Sequence, residues 1–125
     1  MIKVSVGQHA LLLTGDIEKP VEQSLVTNNS NQLRSDLLKA PHHGSKTSST
    51  DVFISAVRPT EVVFSSGYMS RFGHPHPDIV ARYEQHGVDW VNTADSGGII
   101  YKLGAKGINR VEEYRKAHPH YWDAL

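Results

Sequence analysis

The chain has 125 residues, no cysteine, and a formal net charge of zero from 13 basic and 13 acidic residues. This length fits one domain or part of one. The balanced charge offers no basic patch for non-specific nucleic-acid binding, and the lack of cysteine excludes disulfides, cysteine-ligated zinc and cysteine nucleophiles. No apolar stretch approaches the ~20 residues of a membrane span, and no signal peptide is expected. Eight histidines are many for this length, so histidine chemistry is the first function to consider.

Predicted strands and helices alternate along the chain. Apolar and polar residues alternate over residues 2–6, which is typical of a half-buried strand, and the run Leu11-Leu12-Leu13 is typical of a strand buried on both faces. Pro20 and Pro77 stand at predicted helix starts, because proline fits the first turn of a helix. The predicted strands are 2–6, 9–14, 33–40, 61–65, 88–93 and 99–103, and the predicted helices are 20–27, the segment between a cap at 48–50 and Pro59, the segment from Pro77 to Gly87, and a short helix near 111–117. This order predicts an α/β fold with a mixed sheet flanked by helices.

Polar residues suited to metal binding follow three of the predicted strands. They are Asp16 after Thr14-Gly15, the pair His42 and His43 after Pro41, and His74 in Gly73-His74-Pro75-His76. Because the carboxyl ends of neighbouring parallel strands meet at one edge of a sheet, these side chains are expected to lie together. Imidazole and carboxylate are ligands for zinc- or manganese-type ions, and a carboxylate can bridge two of them.

Each of these residues also has a purely structural interpretation. Asp16 fits a turn or the cap of the next helix, and His42-His43 fits a solvated loop, since loop tips tolerate histidine freely. His74 fits a loop histidine held by the backbone. His118 and His120 lie in a polar tail, where exposure to solvent is expected.

The segment His74-Pro75-His76-Pro77-Asp78 resembles the His-x-His-x-Asp-His ligand motif of two-metal hydrolases. Ile79 stands where the last histidine belongs. Pro77 and Asp78 also fit a helix start, where an acidic residue is favourable. A helix start is therefore the preferred interpretation.

Three motifs of the chain, taken together and in order, resemble a known family. They are Leu11-Leu12-Leu13-Thr14-Gly15-Asp16-Ile17-Glu18, Pro41-His42-His43-Gly44-Ser45-Lys46-Thr47-Ser48-Ser49, and Ser66-Gly67-Tyr68 through Phe72-Gly73-His74-Pro75. The chain resembles the C-terminal part of the metallo-β-lactamase-like domain of the ComEC family, the DNA-internalisation channel proteins of bacterial competence. The end of the chain, from Glu113-Tyr114-Arg115 to Tyr121-Trp122, is similar to the C-terminus of the Gram-negative members. The resemblance covers nearly the whole sequence.

The resemblance implies half of a metallo-β-lactamase-like αββα sandwich over residues 1–107, followed by a polar C-terminal tail over 108–125. The family's main ligand loop belongs to the first half of that fold, so an excised half-domain is expected. Such a half leaves the inner face of its sheet uncovered, including Leu11 and Leu13. Alone, this fragment is expected to be inactive.

The resemblance also implies roles for individual residues. Asp16 matches the bridging aspartate, and one histidine of the pair matches the final histidine ligand, with His43 favoured and His42 kept in the site. Asp16 and His43 are thus the expected catalytic residues, and His74 belongs to a Gly-His-Pro motif near the same edge. Ser45 and Lys46 are expected to contact phosphate, together with backbone amides at the next helix start. The implied cofactor is zinc or manganese, bound in the full-length parent, with the fragment itself expected to bind little or none.

The implied partners are DNA, reached through the parent protein, the N-terminal half of the same domain, and the transmembrane channel of the parent. Strong binding of nucleic acid by the fragment alone is not expected. The parent is expected in the inner membrane with this domain on the periplasmic side, and the fragment itself is expected to be soluble.

Three functions stay open at this point. The first is a fragment of a DNA-uptake protein whose parent domain is a metal-dependent hydrolase, a nuclease on the strand that is not imported. The second is a non-catalytic docking or structural module of the uptake channel. The third is a stand-alone metallo-hydrolase of another ester.

Overall fold

The computed structural model describes residues 1–65, 75–93, 99–104 and 107–113. In chain order its elements are β1 (Ile2–Val6), β2 (His9–Leu13), α1 (Lys19–Asn29), β3 (Leu37–Lys39), α2 (Asp51–Val57), β4 (Glu61–Phe64), α3 (Pro77–Gln85), β5 (Asp89–Asn92), β6 (Ile99–Gly104) and β7 (Gly107–Glu113), with short 3-10 turns at Ser30–Gln32 and Pro41–Gly44. No helix in these ranges is both long and apolar enough to cross a lipid bilayer.

The five strands β1 to β5 form one mixed sheet in the order of the chain. β1 pairs antiparallel with β2, and β2, β3, β4 and β5 run parallel to one another. The predicted α/β fold with a mixed sheet flanked by helices is therefore confirmed, and the arrangement is compatible with half of an αββα sandwich. Parallel neighbours bring the ends of β2, β3 and β4 to the same edge.

The core lies between the helices and one face of this sheet. Leu12, Leu38 and Val62 are aligned across β2, β3 and β4 and are fully buried. Phe53 of α2 and Tyr83 of α3 pack in the same cluster. Each such side chain contributes about 1.5–3 kcal/mol of burial free energy, so the face toward the helices holds the fold together.

The opposite face of the sheet is covered only in part. β6 and β7 form an antiparallel hairpin, and the Tyr101 hydroxyl on β6 donates a 2.6 Å hydrogen bond to Oε2 of Glu61 on β4. Burial raises the pKa of the Tyr101 hydroxyl, and the Glu61 carboxylate raises it further. Leu11 and Leu13 are half-buried rather than open. The expectation that they stand uncovered is therefore too strong.

Three local predictions are wrong. All five residues of β1 are exposed, where a half-buried strand was expected, because β1 is an edge strand. The third strand spans only Leu37–Lys39, although the Asp36 backbone N–H still donates to the Ala10 carbonyl at 2.9 Å and the Asp36 carboxylate accepts from the Ala10 N–H. The helix expected near 111–117 is replaced over its first residues by β7, which pairs with β6. The division of the chain at residue 107 stays a prediction.

Candidate functional site

The ends of β2 and β3 bring Asp16 and the two histidines to one edge of the sheet. Thr14, the first residue after β2, is buried, and its hydroxyl donates a 2.7 Å hydrogen bond to the carbonyl oxygen of Lys39. The residue after Thr14 is Gly15, and its carbonyl oxygen accepts a 2.9 Å hydrogen bond from the His42 backbone N–H. These bonds join the two strand ends, so the segments that carry Asp16 and His42 are held side by side.

The histidine pair lies in a left-handed turn. His42 and His43 have φ of 47° and 56°, and Gly44 follows with φ of 80°. Left-handed backbone costs about 1–2 kcal/mol at a residue with a Cβ atom, and such strain is typical of functional segments held by their surroundings. A Cβ on Gly44 would lie 2.7 Å from Cβ of Pro75 and 2.8 Å from a ring carbon of Phe64. Glycine is thus required where this turn packs against its neighbours.

His43 is placed between Ser65 and Asp16. Its Nδ1 lies 2.6 Å from the carbonyl oxygen of Ser65, and its Nε2 lies 3.4 Å from Oδ1 of Asp16. A carbonyl oxygen only accepts, so the ring proton belongs on Nδ1. In the neutral ring Nε2 then presents a lone pair to a carboxylate oxygen. A cation between these two atoms, either a proton or a metal ion, would satisfy both.

His42 faces a different carboxylate. Its Nδ1 lies 2.9 Å from Oε1 of Glu18, an electrostatic contact without hydrogen-bond alignment. Glu18 stands at the N-cap of α1 but makes no side-chain cap there. The centroids of the two imidazole rings are 6.2 Å apart. The turn therefore sends neighbouring histidines to separate acidic partners.

The described residues do not complete a metal site. Within the described ranges, no group of three or more His, Asp or Glu side chains is arranged to hold an ion, and a catalytic zinc site needs three protein ligands. Asp16 and His43 supply two potential metal ligands, whose Oδ1 and Nε2 atoms are 3.4 Å apart. His74, the other predicted ligand, lies outside the described residues. The metal and catalytic roles of these residues stay predictions.

His76 lies within the described residues and is the N-cap of α3. Its Nδ1 accepts a 3.1 Å hydrogen bond from the Asp78 N–H as the N-cap of α3. Its backbone N–H donates to the Gly44 carbonyl at 2.9 Å, which fixes α3 against the histidine turn. These contacts agree with the preferred interpretation of the segment that begins at His74.

The predicted phosphate contacts differ from one another. Ser45 is buried, and its hydroxyl lies 3.1 Å from that of Thr47, whereas Lys46 is exposed. The amides of Ser49 and Thr50, just before α2, donate to the carboxylate of Glu22 at 2.6 and 2.8 Å. These two amides bind a carboxylate of the protein itself, and the phosphate contacts of Ser45 and Lys46 stay predictions.

The chain was compared with known proteins. No family model matches it. It is 37% identical over 122 residues to Competence protein ComA of Neisseria gonorrhoeae, a match that covers 98% of this chain and 17% of that protein. It is 34% identical over 99 residues to ComE operon protein 3 of Bacillus subtilis, covering 79% of this chain and 13% of that protein. Recombination protein 2 of Haemophilus influenzae is 35% identical over 99 residues, or 79% of this chain and 12% of its own length.

The chain is a relative of competence proteins. It spans between 12 and 17% of the length of these three relatives. The likeness to a competence protein agrees with the family resemblance, whereas the identity of the domain is not tested by the matches.

Two residues of this competence-protein relative were missed by sequence reasoning. Glu18 contacts His42, and the fully buried Glu22 binds the segment after the histidine turn. The signal for Glu18 was its position two residues after Asp16 in the same turn. Glu22 gave no signal, because an acidic residue in the first turn of a helix is expected at the surface.

Proposed function

We propose that this chain is a segment of a DNA-uptake protein. We also propose that the sheet edge that carries Asp16, His42 and His43, called here the histidine edge, contributes to a metal centre for phosphodiester hydrolysis. The first part of the proposal is supported by the match to a protein whose name refers to competence. That match covers 98% of the chain at 37% identity. A match of this extent spans the five-stranded sheet, the helices α1, α2 and α3 and the histidine turn.

The finer part of the proposal rests on Asp16 and His43. Nε2 of His43 and Oδ1 of Asp16 face each other across 3.4 Å, and both are acceptor atoms when the ring is neutral. A divalent ion such as zinc or manganese suits this donor set, and when bound it would supply Lewis-acid chemistry at a phosphate. His42 and the predicted ligand His74 belong to the proposed centre as well.

Two metal ligands do not make a catalytic site, so the centre needs further ligands from outside the described residues. Their proposed source is the N-terminal half of the same domain in a longer protein. That domain would lie on the periplasmic side of the inner membrane, beside the channel of the same protein. The proposed substrate is DNA, with the exposed charge of Lys46 near a phosphate. By itself the chain is expected to lack nuclease activity.

Transformation tests this proposal. In a longer protein that carries the chain, Asp16→Ala and the double change His42→Ala, His43→Ala should lower transformation frequency. Asp51→Ala is the matched control. Asp51 also pairs with a histidine, His86, at 3.0 Å, but this pair does not belong to the histidine edge. Membrane levels of each variant separate lost chemistry from misfolding.

A second function is favoured because the described residues bring together no group of three metal-ligating side chains. A non-catalytic docking module of the uptake channel needs no third ligand. If the Asp16 and histidine variants accumulate normally and transform like wild type, the metal proposal is wrong and the docking function becomes the better account.

A further inference from the structure

A carboxylate is buried directly behind the histidine turn. Glu22 of α1 is fully buried, and its carboxylate accepts hydrogen bonds from the Ser49 N–H at 2.6 Å, the Thr50 N–H at 2.8 Å and the Thr50 hydroxyl at 2.9 Å. Burying a carboxylate costs several kcal/mol unless its oxygens are hydrogen-bonded. The three hydrogen bonds offset this cost, and they fix the position of Ser49 and Thr50, which donate them.

The segment that Glu22 holds is tied back to the histidine turn. The Ser48 hydroxyl lies 3.0 Å from the carbonyl oxygen of Pro41 and 2.8 Å from that of Ser45, and its single proton is shared between these two acceptors. Pro41 directly precedes His42, so the hydrogen bonds of Glu22 and Ser48 connect the buried carboxylate to the start of the turn. The backbone N–H of Lys19 adds a 3.1 Å bond to the carbonyl of Thr47.

Ser49 is also held from the other side. Its hydroxyl lies 2.8 Å from the hydroxyl of Tyr83, and its carbonyl accepts a 2.9 Å hydrogen bond from Nη1 of Arg82. Ser49 has φ of 57°, a left-handed conformation that needs support from its surroundings. α1 and α3 thus fix this residue between them.

Capping of α2 does not explain the position of Glu22. Thr50 is the N-cap of that helix, and its own hydroxyl accepts from the Phe53 N–H. The amides bound by Glu22 belong to Ser49 and to Thr50 itself, which precede the helix. The carboxylate therefore orders the loop between the turn and the helix rather than the helix start.

We propose that Glu22 is a positioning residue that sets the conformation of the His42–His43 turn. Through Ser49 and Ser48 it holds Pro41 in place, and thereby keeps His43 within reach of the Ser65 carbonyl. That the turn serves a metal centre rests on the proposed function. The positioning itself does not depend on it.

The test is nitrogen NMR of the imidazole rings in the metal-free chain. In wild type, His43 should be mainly in its Nδ1–H form, because Nδ1 donates to the Ser65 carbonyl. Glu22→Gln and Ser48→Ala should both lower the fraction of the Nδ1–H form and move the His42 signals. Ile79→Val is the control, since Ile79 is fully buried in the core but is not joined to the turn by this network.

Urea unfolding of each variant shows how much stability is lost, so the comparison is made between variants of similar loss. If Glu22→Gln does not fold, Ser48→Ala decides alone. The proposal is overturned if the histidine signals of the folded variants match wild type, or if Ile79→Val moves them equally. Normal transformation by the Asp16 and histidine variants of the longer protein counts against the proposed function but leaves a positive positioning result intact.

Discussion

His43 donates a 2.6 Å hydrogen bond from Nδ1 to the backbone carbonyl oxygen of Ser65, the residue that follows β4. This bond assigns the ring proton, because a carbonyl oxygen has none to give. It turns Nε2 toward Oδ1 of Asp16, 3.4 Å away. When the ring is neutral, the arrangement holds two acceptor atoms in position for one cation, and it draws on the ends of three neighbouring strands.

Zinc should bind at this pair before any other histidine of the described chain. In an NMR titration with Zn²⁺, the His43 signals should respond first, and Asp16→Asn should weaken the response about 10-fold or more, which is typical when a group that orients or completes a metal site is lost. Asp51→Asn is the matched control, because Asp51 forms a similar exposed pair with His86 at 3.0 Å. Equal effects of the two substitutions would show that Asp16 has no special part in binding.

Gly44→Ala should be far more destabilising than Gly87→Ala. Both glycines have positive φ, 80° and 72°, but only the Cβ added at position 44 meets other atoms, at 2.7 Å in Pro75 and 2.8 Å in Phe64. We expect a loss of about 1–2 kcal/mol at Gly87 from the backbone alone, and about 1–3 kcal/mol more at Gly44 from overpacking. Urea unfolding measures both. Similar losses would mean that the turn moves away from Pro75 at little cost.

The sequence predicts the sheet and the placement of Asp16 and His43 at one edge, because periodicity and strand order determine both. It does not predict the left-handed turn at His42, since hydrophobic periodicity carries no information on the sign of φ. Nor does it predict the burial of Glu22, whose partner Ser49 lies 27 residues along the chain. Contacts between distant segments decide that position. The exposure of every residue of β1 was missed for a related reason: alternation shows which face is apolar, but not what covers it.

At His42, glycine should be better tolerated than alanine. His42 has φ of 47°, and alanine keeps the Cβ atom that makes this conformation costly, so His42→Gly should be more stable than His42→Ala by about 1 kcal/mol. Ser55 is an exposed position inside α2. There Ser55→Ala should be more stable than Ser55→Gly by about 1 kcal/mol, because glycine is a poor helix former. Urea unfolding of the four variants tests the prediction. Alanine proving the more stable at both positions would contradict the strained turn.

Asp36 should make the chain sensitive to acid. Burial raises the pKa of its carboxyl, but the hydrogen bond from the Ala10 N–H and the charge of Arg34 outweigh burial and hold it below the ordinary value of 3.8. A lowered folded-state pKa gives stability that is present above the unfolded value and is lost as pH falls through the folded value. Asp36→Asn should therefore cost about 1 kcal/mol at neutral pH, and the gap to wild type should shrink below pH 3.8. Urea unfolding across pH measures this gap, and a gap that stays constant would contradict it.

The apolar edge of β1 should make the isolated chain self-associate. Ile2, Val4 and Val6 are 62, 42 and 38% exposed, and they alternate along an edge strand, so they form a stripe on the face away from the helices. Edge strands with exposed apolar residues pair readily with other chains. Val4→Lys should give a monomer by light scattering and reduce the binding of a hydrophobic dye. Val52→Lys, at a residue that is 58% exposed on α2, should leave the association unchanged. A wild-type chain that is monomeric and does not bind the dye would show that this stripe needs no partner.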